Sequence, residues 1–421
     1  MKDDRLNMVP KNTNAMKIKT LSLFCIIILV TALPGQLKQE EMIVSIKKTS
    51  ESIRSLQKLG LDLLMEHNGR IYLLARIPDL SVLDQRKIIY RYEDELHRKL
   101  ILERTLALDG INGAYHTYRE LEQELMDLAQ IYPHLARVID IGDSHEDRNI
   151  YALKISDNTD EEEGEPGVIF FGCHHAREWI SVEIPFSFGK YLLENYSNDP
   201  NIRNLVNHCE IWIIPLVNPD GLEYSLHYYR YWRKNRRANT DGSFGVDLNR
   251  NYNYKWGYDD AGSSPDPRSG LYRGTAPFSE PETSSIRDFI PGKNIKALIS
   301  YHSYGRLIIY PWGYTNIPAD DREMMHQMAA EMSKLIESVH GNIYHYGQAA
   351  DSLYVANGDT TDWAYGSHDI PSFTVELPPT DLLNGGFINS EDDIQYLFEE
   401  NLPAMLYLVN WTMQKATKLP D

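Results

Sequence analysis

An uninterrupted apolar run that leads directly into imidazole and charged side chains constrains this chain more than any other feature. The run covers residues 167–171 (Gly-Val-Ile-Phe-Phe) and is followed by Gly-Cys-His-His-Ala-Arg-Glu-Trp up to residue 179. Such a run is typical of a strand that is buried on both faces in a parallel or mixed sheet. Residues 178–193 carry apolar side chains at helical spacing and predict the next helix. His175 and Glu178 then lie at the strand exit, where open α/β sheets place ligand sites.

His175 and Glu178 together have the chemistry of a metal site. A neutral imidazole and a carboxylate three residues apart can ligate one cation, and zinc accepts both ligand types. A catalytic zinc also needs a third protein ligand and an open position. Taken alone, the pair is more typical of a structural hydrogen bond, so its assignment depends on the rest of the chain.

Composition places the chain among ordinary globular proteins. Its 421 residues suffice for a large core, and 42% are hydrophobic and 24% charged. A net charge of -18 leaves no basic stripe for phosphates, which argues against a nucleic-acid partner. Three cysteines are too few for a disulfide framework. We expect Cys173 and Cys209 to be buried free thiols, because each lies in or beside a predicted strand.

The N-terminal region predicts secretion. Residues 21–33 form the only long apolar run, which contains Cys25 and is preceded by Lys17 and Lys19. This run is short for a membrane span, which needs ~20 residues. Residues 1–35 are therefore interpreted as a signal peptide with a leader, with Met16 as an alternative start. We expect a secreted protein that has no membrane span in its mature form and is a monomer.

Residues 36–108 predict a small α/β unit. The pattern is a strand at 42–46, a helix at 50–64, a strand at 71–77 and a charged helix at 80–100. We interpret the unit as a pro-segment that covers the active site until an endoprotease cuts in the basic zone at 98–104. An accessory binding domain is the alternative.

Residues 109–421 predict a larger domain in which strands alternate with helices. Asn218-Pro-Asp-Gly221 predicts a turn, and residues 228–273 form a long irregular segment, which is usually functional when ordered. The predicted strands are 138–141, 150–155, 211–217, 295–301, 307–310 and 373–377, and the helices 115–132, 280–290, 322–340 and 392–413. Residues 156–166 form an acidic loop, which is either solvated or organised around a hard cation such as calcium.

Five blocks of sequence, in this order, resemble those of zinc metallocarboxypeptidases of the carboxypeptidase A type. The resemblance covers residues 112–413 and is greatest to bacterial carboxypeptidase T, which shares the acidic loop and the sequences at 232–236 and 358–363. It implies a three-layer α/β/α catalytic domain with a mixed, mostly parallel twisted sheet, preceded by the small α/β pro-segment. The blocks are His175-Ala-Arg-Glu-Trp179, Trp232-Arg-Lys234, Asp247-Leu-Asn-Arg-Asn251, His302-Ser-Tyr304 and Phe373-Thr-Val-Glu-Leu377.

The resemblance implies a peptide hydrolase with one zinc ion per chain. His175, Glu178 and His302 match the three metal ligands, which leaves a fourth position for water. Glu376 matches the general base that takes the proton of that water. Arg233 matches the cation that stabilises the tetrahedral oxyanion.

Further matches imply recognition of peptide or protein C-termini. Arg250 and Asn249 match the residues that bind the terminal carboxylate, and Tyr354 matches a mobile tyrosine that closes over the substrate. Arg177 and Tyr304 match residues that contact the penultimate part of the peptide. The wall of the implied pocket for the terminal side chain is Ile309, Gly313, Ala349, Leu353, Ala356, Asp359, Thr361 and Thr374.

That pocket implies broad specificity. Basic-specific members of the family carry an acid at the position of Thr361, and aliphatic-specific members a large hydrophobe. Asp359 lies two residues earlier, where its carboxylate can reach a terminal Lys or Arg. We expect hydrophobic C-termini to be accepted and basic ones to be tolerated.

The acidic loop gains a second interpretation from the resemblance. Asp157, Glu162, Glu163 and Glu165 match calcium-binding positions of the bacterial relatives, so calcium is a candidate second cofactor. Two other functions stay open on the sequence alone. One is a zinc amidohydrolase or deacylase acting on small acyl substrates, and the other is an inactive secreted zinc-containing binding module.

Overall fold

The computed structural model describes residues 41–49, 56, 59, 61–67, 69–96, 112–161, 163–380 and 385–416. The predicted signal peptide, the basic zone at 98–104 and Glu162 lie outside the described residues. Within that described part, no helix is long and apolar enough to cross a membrane.

A four-stranded antiparallel sheet begins the described chain. Its strands lie in the order β2-β3-β1-β4. Val44, Leu73 and Leu83 are fully buried in its core, where the first helix packs on the sheet. The elements are β1 (Glu41–Lys47), β2 (Asp62–His67), β3 (Arg70–Arg76), α1 (Ile77–Gln85) and β4 (Tyr90–Tyr92).

Two helix predictions in this region are wrong over part of their length. Residues 62–64, predicted to end a helix, begin β2, which pairs with β3 through a tight turn at Gly69 with φ of 68°. A sequence Asn-Gly between two strands is the strongest short-range signal for such a hairpin, and it overrides helix propensity here. The helix predicted over 80–100 is interrupted: α1 ends at Gln85, because Lys87 takes a left-handed φ of 58° and the chain continues into β4. Residues 94–96 are helical again.

The second sheet is mixed and carries the main body of the protein. The strands lie in the order β11-β10-β12-β9-β7-β8-β6-β5. Four neighbouring pairs are parallel and three are antiparallel, which confirms the predicted mixed, mostly parallel sheet. Its strands are β5 (Ala136–Asp143), β6 (Asn149–Ile155), β7 (Gly167–Phe171), β8 (Glu210–Ile214), β9 (Ile295–Ser303), β10 (Leu307–Tyr310), β11 (His345–Gln348) and β12 (Ser372–Leu377).

Helices cover both faces of this sheet. They are α2 (Tyr118–Ile131), α3 (Ile180–Asn195), α4 (Pro200–Val206), α5 (Pro219–His227), α6 (Pro281–Phe289), α7 (Arg322–His340), α8 (Ala349–Ser352), α9 (Thr360–His368) and α10 (Asp393–Ala416), with a 3-10 turn at Leu248–Arg250. Of these, α4, α5, α8 and α9 were not predicted. The predicted turn at Asn218 is instead the start of α5, where the Asn218 side chain accepts from Gly221 N at 3.0 Å and Pro219 occupies the first turn.

The alternation of side chains along β7 explains the three layers. Val168 and Phe170 join a hydrophobic cluster with α3, α7 and α10, whereas Ile169 and Phe171 join a second cluster with α6 and α9. Successive side chains of a strand point to opposite faces, so an unbroken apolar run requires cover on both. Burial of each such side chain contributes about 1.5–3 kcal/mol. The α/β/α architecture is confirmed, and the sheet edge after β7 stays available for polar residues.

Candidate active site

The chain turns sharply where β7 ends. A Cβ on Gly172 would lie 2.2 Å from Ser181 O and 2.5 Å from Pro215 O, so only glycine fits there. Cys173 follows with a left-handed φ of 53° and is buried as a free thiol, as Cys209 is. Helix α3 begins at Ile180, two residues after the predicted start. Glu178 therefore lies in the turn between β7 and α3 and faces the end of the sheet.

This turn brings three ligand-type side chains together. His175 Nδ1 lies 2.8 Å from Glu178 Oε1, and His302 Nδ1 lies 2.9 Å from Glu178 Oε2. The two Nδ1 atoms are 3.1 Å apart. His175, Glu178 and His302 are all buried, and their ligand atoms lie within 4.8 Å of one another. The structure thus gathers the predicted metal ligands at one point.

The Nε2 atoms of His175 and His302, which face away from Glu178, have polar neighbours. His302 Nε2 lies 3.0 Å from Ser300 Oγ. His175 Nε2 lies 3.3 Å from Asp247 Oδ1, a charge contact rather than an aligned hydrogen bond. Such partners orient ligating imidazoles and leave the Nδ1 lone pairs for a metal.

The electrostatics of the cluster fit a cation. Burial opposes ionisation of Glu178, but His175 and His302 outweigh it and lower the pKa of its carboxyl. Two imidazole nitrogens and one ionised carboxylate are a donor set that zinc accepts, with a fourth position left for water.

Arg233 and Asp247 form a buried ion pair beside this cluster. Arg233 Nε and Nη2 donate to Asp247 Oδ2 at 3.0 and 2.9 Å. Arg233 Nη1 lies 4.0 Å from Glu178 Oε1. Burial raises the pKa of Asp247, but the charge of Arg233 followed by that of His175 outweighs burial and holds it well below its ordinary value. Asp247 therefore links the predicted oxyanion cation to a predicted metal ligand.

The register of two strands places Glu376 next to His302. In the parallel pair β12–β9, Glu376 is the direct partner of His302. Directly paired residues share a face of the sheet, so both side chains project toward the same side. Burial, supported by the charge of Glu178, raises the pKa of Glu376 to about 8 against the opposing effects of His302 and Arg233.

The 3-10 turn after Asp247 holds the predicted carboxylate-binding residues. Arg250 Nε donates to Gly262 O at 2.8 Å and Nη1 to Asn249 O at 2.6 Å. The ring centroid of Tyr354 lies 5.8 Å from the Arg250 guanidinium carbon. Asn249 Oδ1 accepts from Thr360 N at 2.9 Å. Because this amide oxygen is occupied, the Asn249 NH₂ group is the part of the side chain suited to a ligand.

Asp359 and Gly313 lie against each other in the predicted specificity pocket. Asp359 Oδ1 accepts from Asp362 N at 2.9 Å and from Thr361 Oγ1 at 2.8 Å, which caps helix α9. Asp359 Oδ2 is buried and has no hydrogen-bond partner among the described residues. A Cβ on Gly313 would lie 2.9 Å from that oxygen. The wall also includes Ile309, which is paired with Thr374 in the β10–β12 ladder.

The N-terminal sheet contacts Tyr304, a predicted substrate-binding residue, and the hydrophobic cluster that contains Phe387. Residues 40–421 form one compact unit. In it the Tyr304 hydroxyl donates to Leu64 O, and the Tyr304 ring packs edge-on against Phe387 with centroids 4.8 Å apart. The Arg177 guanidinium carbon lies 4.0 Å from the centroid of that same Phe387 ring. Leu74 of β3 joins the same hydrophobic cluster as Phe387.

The acidic loop also concentrates ligand-type oxygens. Asp157, Glu163 and Glu165 each offer a carboxylate oxygen, and these atoms lie within 4.8 Å of one another. Burial, followed by the charges of Asp157 and Glu163, raises the pKa of Glu165 to about 7. Glu162, the fourth predicted ligand, lies outside the described residues.

Sequence reasoning missed several residues that build this site. Asp247 and Ser300 were not assigned a role, although Asp247 is the first residue of one of the five blocks. His174 received no role beyond its place in the chain next to His175. It is buried, with its Nε2 2.8 Å from Tyr252 OH, and burial followed by the charge of His302 lowers its pKa well below the ordinary value. Phe387 carries no sequence signal that distinguishes it from a core residue.

Comparison with known proteins identifies the family. The zinc carboxypeptidase family, Peptidase_M14, matches residues 121–404. Carboxypeptidase A1 of Rattus norvegicus is 35% identical over 324 residues, which are 76% of this chain and 76% of that protein. Carboxypeptidase B of Astacus astacus is 34% identical over 303 residues, which are 71% of this chain and 97% of that protein. The closer likeness to bacterial carboxypeptidase T stays a prediction.

A solved structure shares the fold over nearly the whole length. Carboxypeptidase A from Helicoverpa armigera has a TM-score of 0.77 at 25% identity and covers 91% of this chain and 100% of that one. The sequence matches, this fold and the gathered His-Glu-His cluster all agree. The chain therefore belongs to the zinc carboxypeptidase family and is a metallocarboxypeptidase.

Proposed function

We propose that this metallocarboxypeptidase is made as a secreted zymogen and removes single residues from peptide and protein C-termini. Hydrophobic terminal residues are accepted and basic ones tolerated. The observation that carries the proposal is the meeting of His175, Glu178 and His302 with Glu376 at one end of the sheet. We further propose that the protein acts as a monomer.

One zinc ion per chain, which the family implies, would be held by His175, Glu178 and His302. Their buried donor set of two imidazole nitrogens and one carboxylate fits this ion. When bound, zinc supplies a Lewis acid and lowers the pKa of a ligating water toward neutrality.

In hydrolysis, Glu376 transfers the proton and Arg233 stabilises the developing negative charge. Glu376 is buried beside His302, where its carboxylate is placed to take a proton from the attacking water and return it to the leaving amine. Arg233 is fixed by Asp247 and is placed to donate to the oxyanion that develops on the peptide carbonyl. Because Asp247 keeps the guanidinium in place before substrate binds, little reorganisation accompanies the reaction.

Recognition of a free C-terminus rests on Arg250, Asn249 and Tyr354. Arg250 has a planar fork that matches a carboxylate, and its Nε is anchored on Gly262 O. The Asn249 NH₂ group adds a donor beside it. Tyr354 lies next to the guanidinium and is only partly buried, which suits a residue that closes over the substrate.

Broad specificity rests on Asp359 in an otherwise small and largely neutral wall. Its Oδ2 is buried, unpartnered among the described residues and adjacent to Gly313. A terminal ammonium or guanidinium would satisfy this oxygen. The Thr361 hydroxyl is already donated to Asp359 Oδ1, so Thr361 adds neither charge nor bulk against an apolar side chain.

Zymogen status is supported by what the N-terminal sheet contacts. Arg177 and Tyr304, proposed to contact the penultimate part of the peptide, pack with Phe387, and Tyr304 also donates to Leu64 of the N-terminal sheet. A peptide cannot occupy the same contacts while the sheet is docked. Residues 36–108 are thus proposed as an inhibitory pro-segment and residues 109–421 as the catalytic domain, separated by an endoprotease that cuts at 98–104. The predicted signal peptide at 1–35 carries the proposal of secretion.

Calcium is proposed as a second cofactor of the acidic loop. The gathered oxygens of Asp157, Glu163 and Glu165 are a hard, all-oxygen set that suits calcium better than zinc, and Glu162 adjoins them in sequence. The raised pKa of Glu165 reflects repulsion that a cation would relieve.

Neither alternative function is favoured. Membership in the carboxypeptidase family opposes an amidohydrolase or deacylase acting on small acyl substrates. An inactive zinc-containing binding module would lack a ligand, Glu376 or Arg233, and all of these residues are present.

A peptide library tests the proposed function directly. The protein, trimmed of its pro-segment, is incubated with the library, and mass spectrometry follows which residues leave. We expect single C-terminal residues to be released, hydrophobic ones fastest, and amidated peptides to stay intact. A Glu376→Gln variant that retains zinc serves as the matched control. Internal cleavage, or equal turnover of free and amidated termini, would contradict the proposal.

A further inference from the structure

A third cluster of metal-type ligands lies where the β5–β6 turn meets the start of helix α6. His145 comes from the turn, Glu280 is the residue before the helix, and Glu282 lies in its first turn. One ligand atom from each of these three residues lies within 4.8 Å of the others. We propose that this cluster binds a divalent transition-metal cation of the zinc class, independently of the catalytic site.

The geometry around the cluster leaves one carboxylate oxygen without a partner. His145 Nε2 lies 2.9 Å from Glu280 Oε2. Asn235 Nδ2 donates to Glu280 Oε2 at 2.9 Å and to Glu282 Oε2 at 3.1 Å. Glu282 Oε1 is buried and accepts no hydrogen bond from any described residue. An orphaned carboxylate oxygen in a fully buried side chain is unfavourable unless a cation or a donor reaches it.

The local charges also leave room for a cation. Glu280 and Glu282 are both fully buried. Arg237 Nη1 lies 2.5 Å from Glu280 Oε1 and balances that residue, while Glu282 forms no ion pair with Lys or Arg within the described part of the chain. Carboxylates in the first turn of α6 also interact favourably with the helix dipole, but that does not account for the imidazole or the unpaired oxygen.

The donor set selects the class of metal. Calcium and magnesium prefer oxygen-only ligands, whereas one imidazole nitrogen with two carboxylates suits zinc and its neighbours. His145 is partly exposed, with 29% of its side chain accessible, so an ion and its waters can enter from solvent on that side.

Asn235 connects this cluster to the catalytic loop. Its backbone N donates to Val246 O at 3.0 Å, and its side-chain Oδ1 accepts from Val246 N at 2.7 Å. Asn235 follows Arg233 by two residues, and Val246 directly precedes Asp247. A cation that fixes the two glutamates therefore also fixes the amide that ties these two segments together. The ion would stabilise the loop structurally and would take no part in the reaction.

Metal stoichiometry tests the proposal with a readout that does not depend on activity. The full chain is equilibrated with zinc in the presence of calcium and dialysed. Its zinc content is then measured by inductively coupled plasma mass spectrometry. We expect about two zinc ions per wild-type chain and about one in the Glu282→Gln and His145→Asn variants. Asp288→Asn, which removes an exposed carboxylate on the same helix, is the matched control and should retain about two.

The wild-type result decides the question even if a variant fails to fold. A single zinc ion per wild-type chain at saturation would overturn the proposal. The proposal also fails if both variants fold with the wild-type melting temperature and still bind as much zinc as the control. In the expected case, adding zinc to wild-type protein whose catalytic site is already filled raises the melting temperature, and the variants do not respond.

Discussion

Replacing Asp247 with Asn should strongly lower kcat/KM while leaving the shape of the side chain unchanged. The Asp247 carboxylate is fully buried, accepts two hydrogen bonds from Arg233 and lies 3.3 Å from His175 Nε2. An amide supplies one oxygen but no charge, and its NH₂ group must face either Arg233 or the Oδ1 side, where Asn249 N donates. The arrangement that holds the proposed oxyanion cation and a proposed metal ligand is then broken on one side.

The magnitude follows from the two functions lost. Partners of metal-ligating histidines typically contribute 10–100-fold to metal affinity or activity, and loss of an oxyanion donor costs about 10²–10³ in kcat. The two effects act on one unit and are not additive. We expect kcat/KM to fall by about 10²–10³, which is roughly 3–4 kcal/mol of transition-state stabilisation. Breaking a buried ion pair also costs about 3–5 kcal/mol, part of which will appear as a lower melting temperature.

The assay measures kcat/KM on an N-blocked dipeptide with the trimmed enzyme, together with zinc affinity by chelator competition and the melting temperature. Asp241→Asn, an exposed acid in the same loop, is the control and should behave as wild type. If Asp247→Asn keeps its zinc affinity and loses less than about threefold in kcat/KM, the assigned positioning role is wrong, because a lost oxyanion donor alone costs far more.

Four further predictions concern specificity, pH, calcium and the pro-segment. Asp359→Asn should selectively depress kcat/KM for Lys and Arg C-termini by about tenfold or more, as expected for a lost ion pair; an unchanged preference ratio would refute the assignment. Burial lowers the pKa of His116, but Glu183 outweighs burial and raises that pKa from 6.5 to about 9. Because the folded pKa exceeds the unfolded one, the interaction stabilises the fold by about 3 kcal/mol below pH 6.5, and this stabilisation is lost as pH rises toward 9. His116→Gln should therefore flatten the dependence of the melting temperature on pH over that window. At a hundredfold its Kd, calcium should stabilise EDTA-treated, zinc-restored protein by ~2.7 kcal/mol, so this protein should melt at a higher temperature with calcium than without. Glu165→Gln should abolish the difference. Equal melting temperatures with and without calcium in the wild type would end the calcium proposal. Tyr72→Ala should loosen the N-terminal sheet from Phe387 and raise the activity of the uncut chain; unchanged activity of a folded variant would argue against inhibition through this contact.

Patterns that are local in sequence predicted most of the main domain. The unbroken apolar run at β7 required cover on both faces, and its polar continuation marked the site. Helix α7 was predicted with the bounds that the structure has, because its apolar residues recur at helical spacing over 19 residues. The N-terminal unit was predicted less well, because the hairpin signal at Gly69 competes with helix-forming residues on its N-terminal side. Propensity is a weak prior, and a turn that fixes register outweighs it.

Contacts between distant residues depended on the tertiary structure. His302 is 127 positions from His175, and only the placement of β9 between β12 and β7 brings its ring to Glu178 and beside Glu376. No pattern in the chain signalled that Asp247 holds Arg233, or that Glu282 retains an unpaired buried oxygen. Local sequence determined which residues lie at strand ends and which faces are apolar, since these depend on the periodicity of the backbone. Strand order and register decided which of those ends meet, because they are set by packing of the whole core.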